Sequence, residues 1–179
     1  MTESQKKCIL DTNVPKTANL TSNPAAIPKK LVGCVLACVE AVNHVVKKGG
    51  LVLDSNDEIF NEYRSNLSLS GQPGVGDGFM KWVHDNRWSL PEIDRVKITP
   101  NDASYDEFPD HVGLVNFDNS DRKFVAVANA HPTKPPILQA TDSKWWGWKT
   151  ALFEAGITVN FICNDFIETK YSEKMENER

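Results

Sequence analysis

The 179-residue chain is long enough for one domain with a substantial core, and its 40% hydrophobic content suits a globular protein. A formal net charge of -4 argues against strong non-specific attraction to nucleic acid, although a group of metal-binding acids would itself lower that number. No stretch approaches the roughly 18 apolar residues of a membrane span, and the opening MTESQKK lacks the apolar centre of a secretory signal.

Residues 7–11, KCILD, read as a strand that ends in an acid, Asp11. TANLTSNPAA (17–26) reads as a polar loop. Leu31, Cys34, Val35, Cys38, Val42 and Val45 recur at helical spacing, so residues 31–48 read as a helix. Lys47 and Lys48 favour its negative end, and Gly49 can cap it. LVLD (51–54) is the next short strand. In the helix after it, Ser55 and Glu58 have capping-box spacing, and Ile59, Tyr63 and Leu67 form a buried face. SGQPGVGDG (70–78) reads as a mobile glycine-rich loop. No strand precedes it and it has no Gly-Lys-Ser/Thr, so it is neither a dinucleotide nor a P-loop fingerprint.

FMKWVHDNRW (79–88) reads as a helix, and RVKIT as a weak strand within a mixed stretch, 89–113. Ser120 can cap a helix over 119–131, with His131 at its end as a favourable cation. PPILQATD (135–142) is a strand ending in a second acid, Asp142. SKWWGWKTALFEAG (143–156) is a helix stopped by Gly156, and ITVNFI (157–162) is a last strand. One domain therefore spans residues 6–166, followed by a charged, frayed tail, 167–179. Strands alternating with helices define an α/β fold with a mostly parallel sheet.

Cys8, Cys34, Cys38 and Cys163 all lie in apolar segments. Cys34 and Cys38 are one helical turn apart, but no second pair has zinc-ligand spacing. Buried, reduced thiols and a cytoplasmic location are the expectation.

In an open parallel sheet the carboxyl ends of the strands face the functional crevice. Asp11 and Asp142 stand at two such ends, Glu62 lies two turns into the helix after LVLD, and Asp121 lies in the first turn of its helix. Four converging carboxylates repel one another unless a cation sits among them, and oxygen-only ligands favour Mg²⁺ or Mn²⁺. Each acid also has a plainer reading. Asp11 can form a turn, Glu62 can be a solvated helix residue, and Asp118 or Asp121 can simply complement a helix N-terminus. SKWWGWK invites a base-stacking platform, with Lys144 and Lys149 for phosphates, yet tryptophans such as Trp145, Trp146 and Trp148 are more often core, and at least one must be to give the helix a buried face.

Four stretches in this order, ILDTNV, LVLDSNDEIFNEY, DRKFVAVANAH and ILQATDSKWW, resemble the PIN-domain nucleases over roughly residues 6–163. The resemblance implies a three-layer α/β/α sandwich around a parallel sheet of about five strands. It implies metal-dependent phosphodiester hydrolysis, most often of single-stranded RNA. Asp11, Glu62, Asp121 and Asp142 would hold Mg²⁺ or Mn²⁺, Asp118 could assist or replace Asp121, and Thr12, Asn13 and Thr141 would support the site.

Lys144 stands where many members carry a further acid, so the resemblance does not carry a second metal. Thr141 directly precedes Asp142, where many members have a residue between, and the 70–113 region is longer than in compact toxin members. Because the chain is acidic, grip on a polyanion needs local cations. Lys16, Arg122, Lys123 and Lys144 are the candidates near the motif strands. Two other readings stay open: a catalytically silent PIN-like module that binds RNA, a protein partner or another copy of itself, and a structure-specific DNA nuclease.

Overall fold

The computed structural model describes residues 6–179. Its strands are β1 (Ile9–Leu10), β2 (Leu53–Asp54), β3 (Arg95–Val96), a short hairpin of β4 (Pro100–Asn101) and β5 (Ser104–Tyr105), β6 (Ile137–Gln139) and β7 (Val159–Phe161). Its helices are α1 (Asn13–Ala18), α2 (Val32–Lys48), α3 (Glu58–Asn66), α4 (Val75–Asn86), α5 (Arg122–Ala130), α6 (Ser143–Glu154) and α7 (Asn164–Asn177).

The protein is a mixed α/β structure around a small parallel sheet of three strands, in the order β1-β6-β7. Ile9 pairs with Ile137, and Ile137 with Val159. A second parallel pair, β2 with β3, aligns Leu53 with Arg95. One parallel bridge joins the two groups: the Cys8 N–H donates to Gly50 O, and the Val52 N–H donates to Cys8 O, each at 2.9 Å. The expected single sheet of about five strands is not formed: a three-stranded sheet and a separate two-stranded pair stand in its place, linked by one bridge. Gly49 and Gly50, at φ of 76° and 87°, turn the chain out of α2 into that bridge. Ile9, Leu10, Leu51, Val52 and Ile137 are fully buried, as strands covered on both faces must be.

Several local expectations need correction. Residues 13–18 are helical, with Val14, Pro15, Thr17 and Ala18 buried, and 3₁₀ turns carry the chain through most of 19–31. Ser55 does not cap α3. The Asp54 carboxylate, at the end of β2, accepts instead from the N–H groups of Asn56, Glu58 and Ile59 at 3.0, 2.8 and 2.9 Å. The glycine-rich stretch is a loop only in its first half, because α4 begins at Val75. Asp77 explains the start, accepting from Gly74 N–H at 3.0 Å and from Ser68 N–H at 2.7 Å. Gly76 is needed for close approach: a Cβ there would sit 1.9 Å from the carbonyl oxygen of Pro15 in α1.

The C-terminal tail is not frayed. It forms α7, anchored by fully buried Ile167 and by the Lys170 ammonium, which donates to Thr141 O at 2.9 Å. Nor are all four cysteines reduced: Cys34 of α2 and Cys163, just before α7, form a disulfide with Cα atoms 4.9 Å apart. Cys8 and Cys38 are free. The premise of the cytoplasmic expectation therefore fails for two of the four. His131, which ends its helix as expected, is buried. Its Nδ1 accepts from Thr133 N–H, which leaves Nε2 to donate to Asp94 at 3.0 Å. Lys7 completes this group with an ion pair to Asp94 at 2.5 Å. Among the described residues no helix is long and apolar enough to cross a membrane.

Candidate active site

Four elements deliver the predicted acids to one edge of the sheet. β1 ends and Asp11 follows, 2% exposed, with its Oδ1 accepting from Asn13 N–H at 2.9 Å. Asn13 thus supports the site through its backbone. The Thr12 hydroxyl donates to Glu62 Oε1 at 2.6 Å, which draws α3 against the end of β1 and turns Glu62 toward Asp11. After β6, the Asp142 Oδ1 accepts from Lys144 N–H at 3.0 Å and caps α6. Asp121, at the start of α5, accepts from the indole N–H of Trp145 at 3.1 Å.

The acids act on one another electrostatically. Burial first, then the charge of Asp121, pushes the Asp11 carboxyl up to about 8; Glu62 and Asp142 add to this, and the Asn13 N–H opposes it. Burial, then Asp142, Asp118 and Glu62, pushes Asp121 up to about 6, with the Trp145 indole pulling the other way. Asp118 differs. The Ser120 hydroxyl and N–H, then Lys144, hold its carboxyl below the usual range. It stands at the rim, paired with Lys144 at 3.1 Å.

The predicted cations divide. Lys123 reaches into the cluster and pairs with Glu62 at 2.5 Å. Arg122 turns to the chain itself: its guanidinium donates to Val115 O and Phe117 O at 2.8 and 3.1 Å and lies over the Phe108 ring. That network makes Arg122 a support for the 104–117 segment rather than a phosphate contact. Lys16 is exposed on α1 and makes no ion pair with a described residue. Thr141 contributes its carbonyl to Lys170, not its hydroxyl to the acids. Of the three tryptophans, Trp145 is core, 1% exposed, and packs edge-on against Phe117 at 5.2 Å. Two site features escaped the sequence reading: Lys123 as the internal counter-ion of Glu62, and Trp145 as the donor to Asp121. Glu62 and Lys123 lie 61 residues apart, and nothing local marks either role.

All-carboxylate donors suit a hard divalent cation. Among the described residues, however, no three carboxylates each place an oxygen within 4.8 Å of the others; the one trio that close is Cys34, Cys38 and Cys163. The acids are therefore spaced more widely than a ready-made three-carboxylate cation site.

Without a cation the cluster should show in the pH dependence of stability. Asp11 and Asp121 bind their protons more tightly folded than unfolded, where both titrate near 3.8. Their contribution is present in full below pH ~4 and is lost as pH rises, for Asp121 by about 6 and for Asp11 by about 8. In chelator, Tm should fall steadily between those limits, and saturating Mn²⁺ should flatten the fall. A chelated protein whose Tm rises from pH 5 to 8 would contradict the cluster's electrostatics.

No protein-family model, curated protein or solved structure matches the chain. Its class, as far as fold and site define it, is a mixed α/β protein with a carboxylate cluster at the end of a small parallel sheet.

Proposed function

We propose that the protein is a PIN-type nuclease that hydrolyses phosphodiester bonds in single-stranded RNA with Mg²⁺ or Mn²⁺. The observation that carries this reading is Asp11: a buried carboxylate at a strand end, with three other acids close enough to oppose its ionisation. A structural acid is placed beside donors that satisfy it, as Asp54 is beside three N–H groups. Asp11 has one donor and three repelling neighbours, an arrangement that makes sense when a cation joins it. The Cys8–Leu51 bridge supports reading the strands as one PIN-like series, β3-β2-β1-β6-β7. The bond between Cys34 and Cys163 would then have to persist in a reducing cytoplasm, where most such bonds do not.

Asp11, Glu62, Asp121 and Asp142 would hold the ion, which supplies charge neutralisation and a more acidic water beside the phosphate. The chain does the positioning. Thr12 fixes one oxygen of Glu62, and Lys123 occupies the other. The Trp145 indole fixes Asp121, and the first turn of α6 fixes Asp142. Lys16 and Lys144 flank the cluster as phosphate contacts, Lys144 by leaving Asp118. Replacing both by Ala should weaken binding of a labelled RNA strand and reduce the salt slope by about 0.7 per lost contact. Anisotropy titrations at several salt concentrations, in the Asp11→Asn background, read this directly. An unchanged slope would place the strand elsewhere.

A second reading, the silent RNA- or protein-binding module, is favoured by Lys123. Its ammonium already neutralises Glu62, as a cation would. The two readings part on one result: turnover of a labelled strand by purified protein in Mn²⁺.

A further inference from the structure

Beside the acid cluster, α6 and α7 enclose a groove of about 440 Å³. Its lip is the Lys144–Asp118 ion pair. The backbone of that same lysine holds Asp142, so the groove opens directly from the proposed catalytic edge. One wall is the half-buried Trp148, whose ring is fixed edge-on against Phe117 at 5.9 Å. The other is Tyr171 of α7, lying so close to α6 that a Cβ on Gly147 would come within 2.9 Å of its ring. The lining is polar as well as aromatic. The hydroxyl of Ser143, a residue only 3% exposed, and the side chain of Asn116 make no hydrogen bond with a described residue. Lys174 adds a second cation to the lip's Lys144, against Asp118 and Glu178.

Two aromatic rings, unpartnered short polar groups and flanking lysines suit a flat heteroaromatic ring that carries hydrogen-bonding edges and a phosphate. We propose that this groove seats one nucleobase of the strand whose phosphate lies at the acids, with the base against Trp148 and Tyr171 and its edge toward Ser143 and Asn116. The proposal rests on the nuclease reading and deepens it. A base paired in a duplex cannot enter between the two helices, so the substrate is single-stranded at that nucleotide. The groove also gives α7 a function that its sparse burial does not explain. Lys170 and the Cys34–Cys163 bond hold this helix in place as a wall of the substrate site.

The test is anisotropy of a short labelled RNA strand of mixed sequence in chelator, where nothing is cleaved, with cleavage in Mn²⁺ run in parallel. Tyr171→Ala should weaken binding about tenfold or more, and Tyr171→Phe should bind as wild type does. Exposed Lys174→Ala, which leaves the core untouched, should lower the salt slope by about 0.7. The same RNA annealed to its complement should bind much more weakly. Equal binding of strand and duplex, no binding of the strand by the wild type, or no loss in a folded Tyr171→Ala protein would overturn the base site. If Tyr171→Ala unfolds, an unchanged salt slope in Lys174→Ala overturns it instead. Cleavage in Mn²⁺ with unaltered strand affinity in Tyr171→Ala would remove the groove and leave the nuclease reading standing. A Tyr171-dependent affinity without cleavage in any divalent cation would do the reverse.

Discussion

Asp11→Asn should make the protein more stable and inactive. Without a cation, burial and the neighbouring acids push the Asp11 carboxyl of the folded chain up to about 8, so its ionisation at pH 7 is disfavoured there, while the unfolded chain ionises it near 3.8. Linkage makes that a cost of a few kcal/mol, which a neutral amide avoids. The Asn side-chain oxygen can still accept from the Asn13 N–H, so no hydrogen bond is lost. In chelator at pH 7, Tm should rise by roughly 5 °C or more for a domain of this size. The fall of Tm between pH 4 and 8 should shrink to the part that Asp121 contributes. Hydrolysis should drop by about 10³-fold or more, because a ligand is lost from the centre of the cluster. Differential scanning fluorimetry and a gel assay read the two effects on one preparation. A variant less stable than wild type and equally active would show that Asp11 is an ordinary strand-end residue.

The second large effect is on stability. The Cys34–Cys163 bond closes a loop of 129 residues in the unfolded chain, which in the chain-entropy model contributes on the order of 5 kcal/mol. Losses on removing native disulfides are typically about 2–5 kcal/mol. Dithiothreitol, or Cys163→Ala, should therefore lower Tm by roughly 5–15 °C. The loss should fall hardest on α7, which is otherwise anchored mainly by Ile167 and Lys170. Alkylating the unreduced, denatured protein should modify two thiols, Cys8 and Cys38. Burial raises both, Cys8 to about 11 and Cys38 to about 12, so neither should react while the protein is folded. Four modified thiols and a Tm indifferent to reductant would contradict the disulfide.

What the sequence disclosed followed from periodicity and from strand ends. Asp11 and Asp142 were visible because short apolar runs stop at acids. LVLD stops at one too, yet Asp54 caps α3. The pattern is the same, and only the neighbours separate a satisfied acid from a repelled one. α2 was legible because its buried side chains recur at helical spacing. α1 was not, since six residues interrupted by Pro15 show no period. α7 looked like a tail because one side chain, Ile167, supplies its full burial. The start of α4 was hidden by a run of glycines, of which Gly76 is required by the Pro15 backbone, 61 residues earlier. The disulfide, the Lys123–Glu62 pair and the Trp145–Asp121 bond all join residues far apart in sequence, where no local rule reaches.

The central claim is that the four acids hold a cation that cleaves a strand. It is tested most directly by incubating purified wild type and Asp11→Asn, prepared identically, with an end-labelled single-stranded RNA in Mn²⁺ and in chelator. Fragments from wild type in Mn²⁺ alone, with none from Asp11→Asn under either condition, are the predicted result. Intact RNA from wild type across Mg²⁺ and Mn²⁺, or equal cleavage by both proteins in chelator, would contradict it.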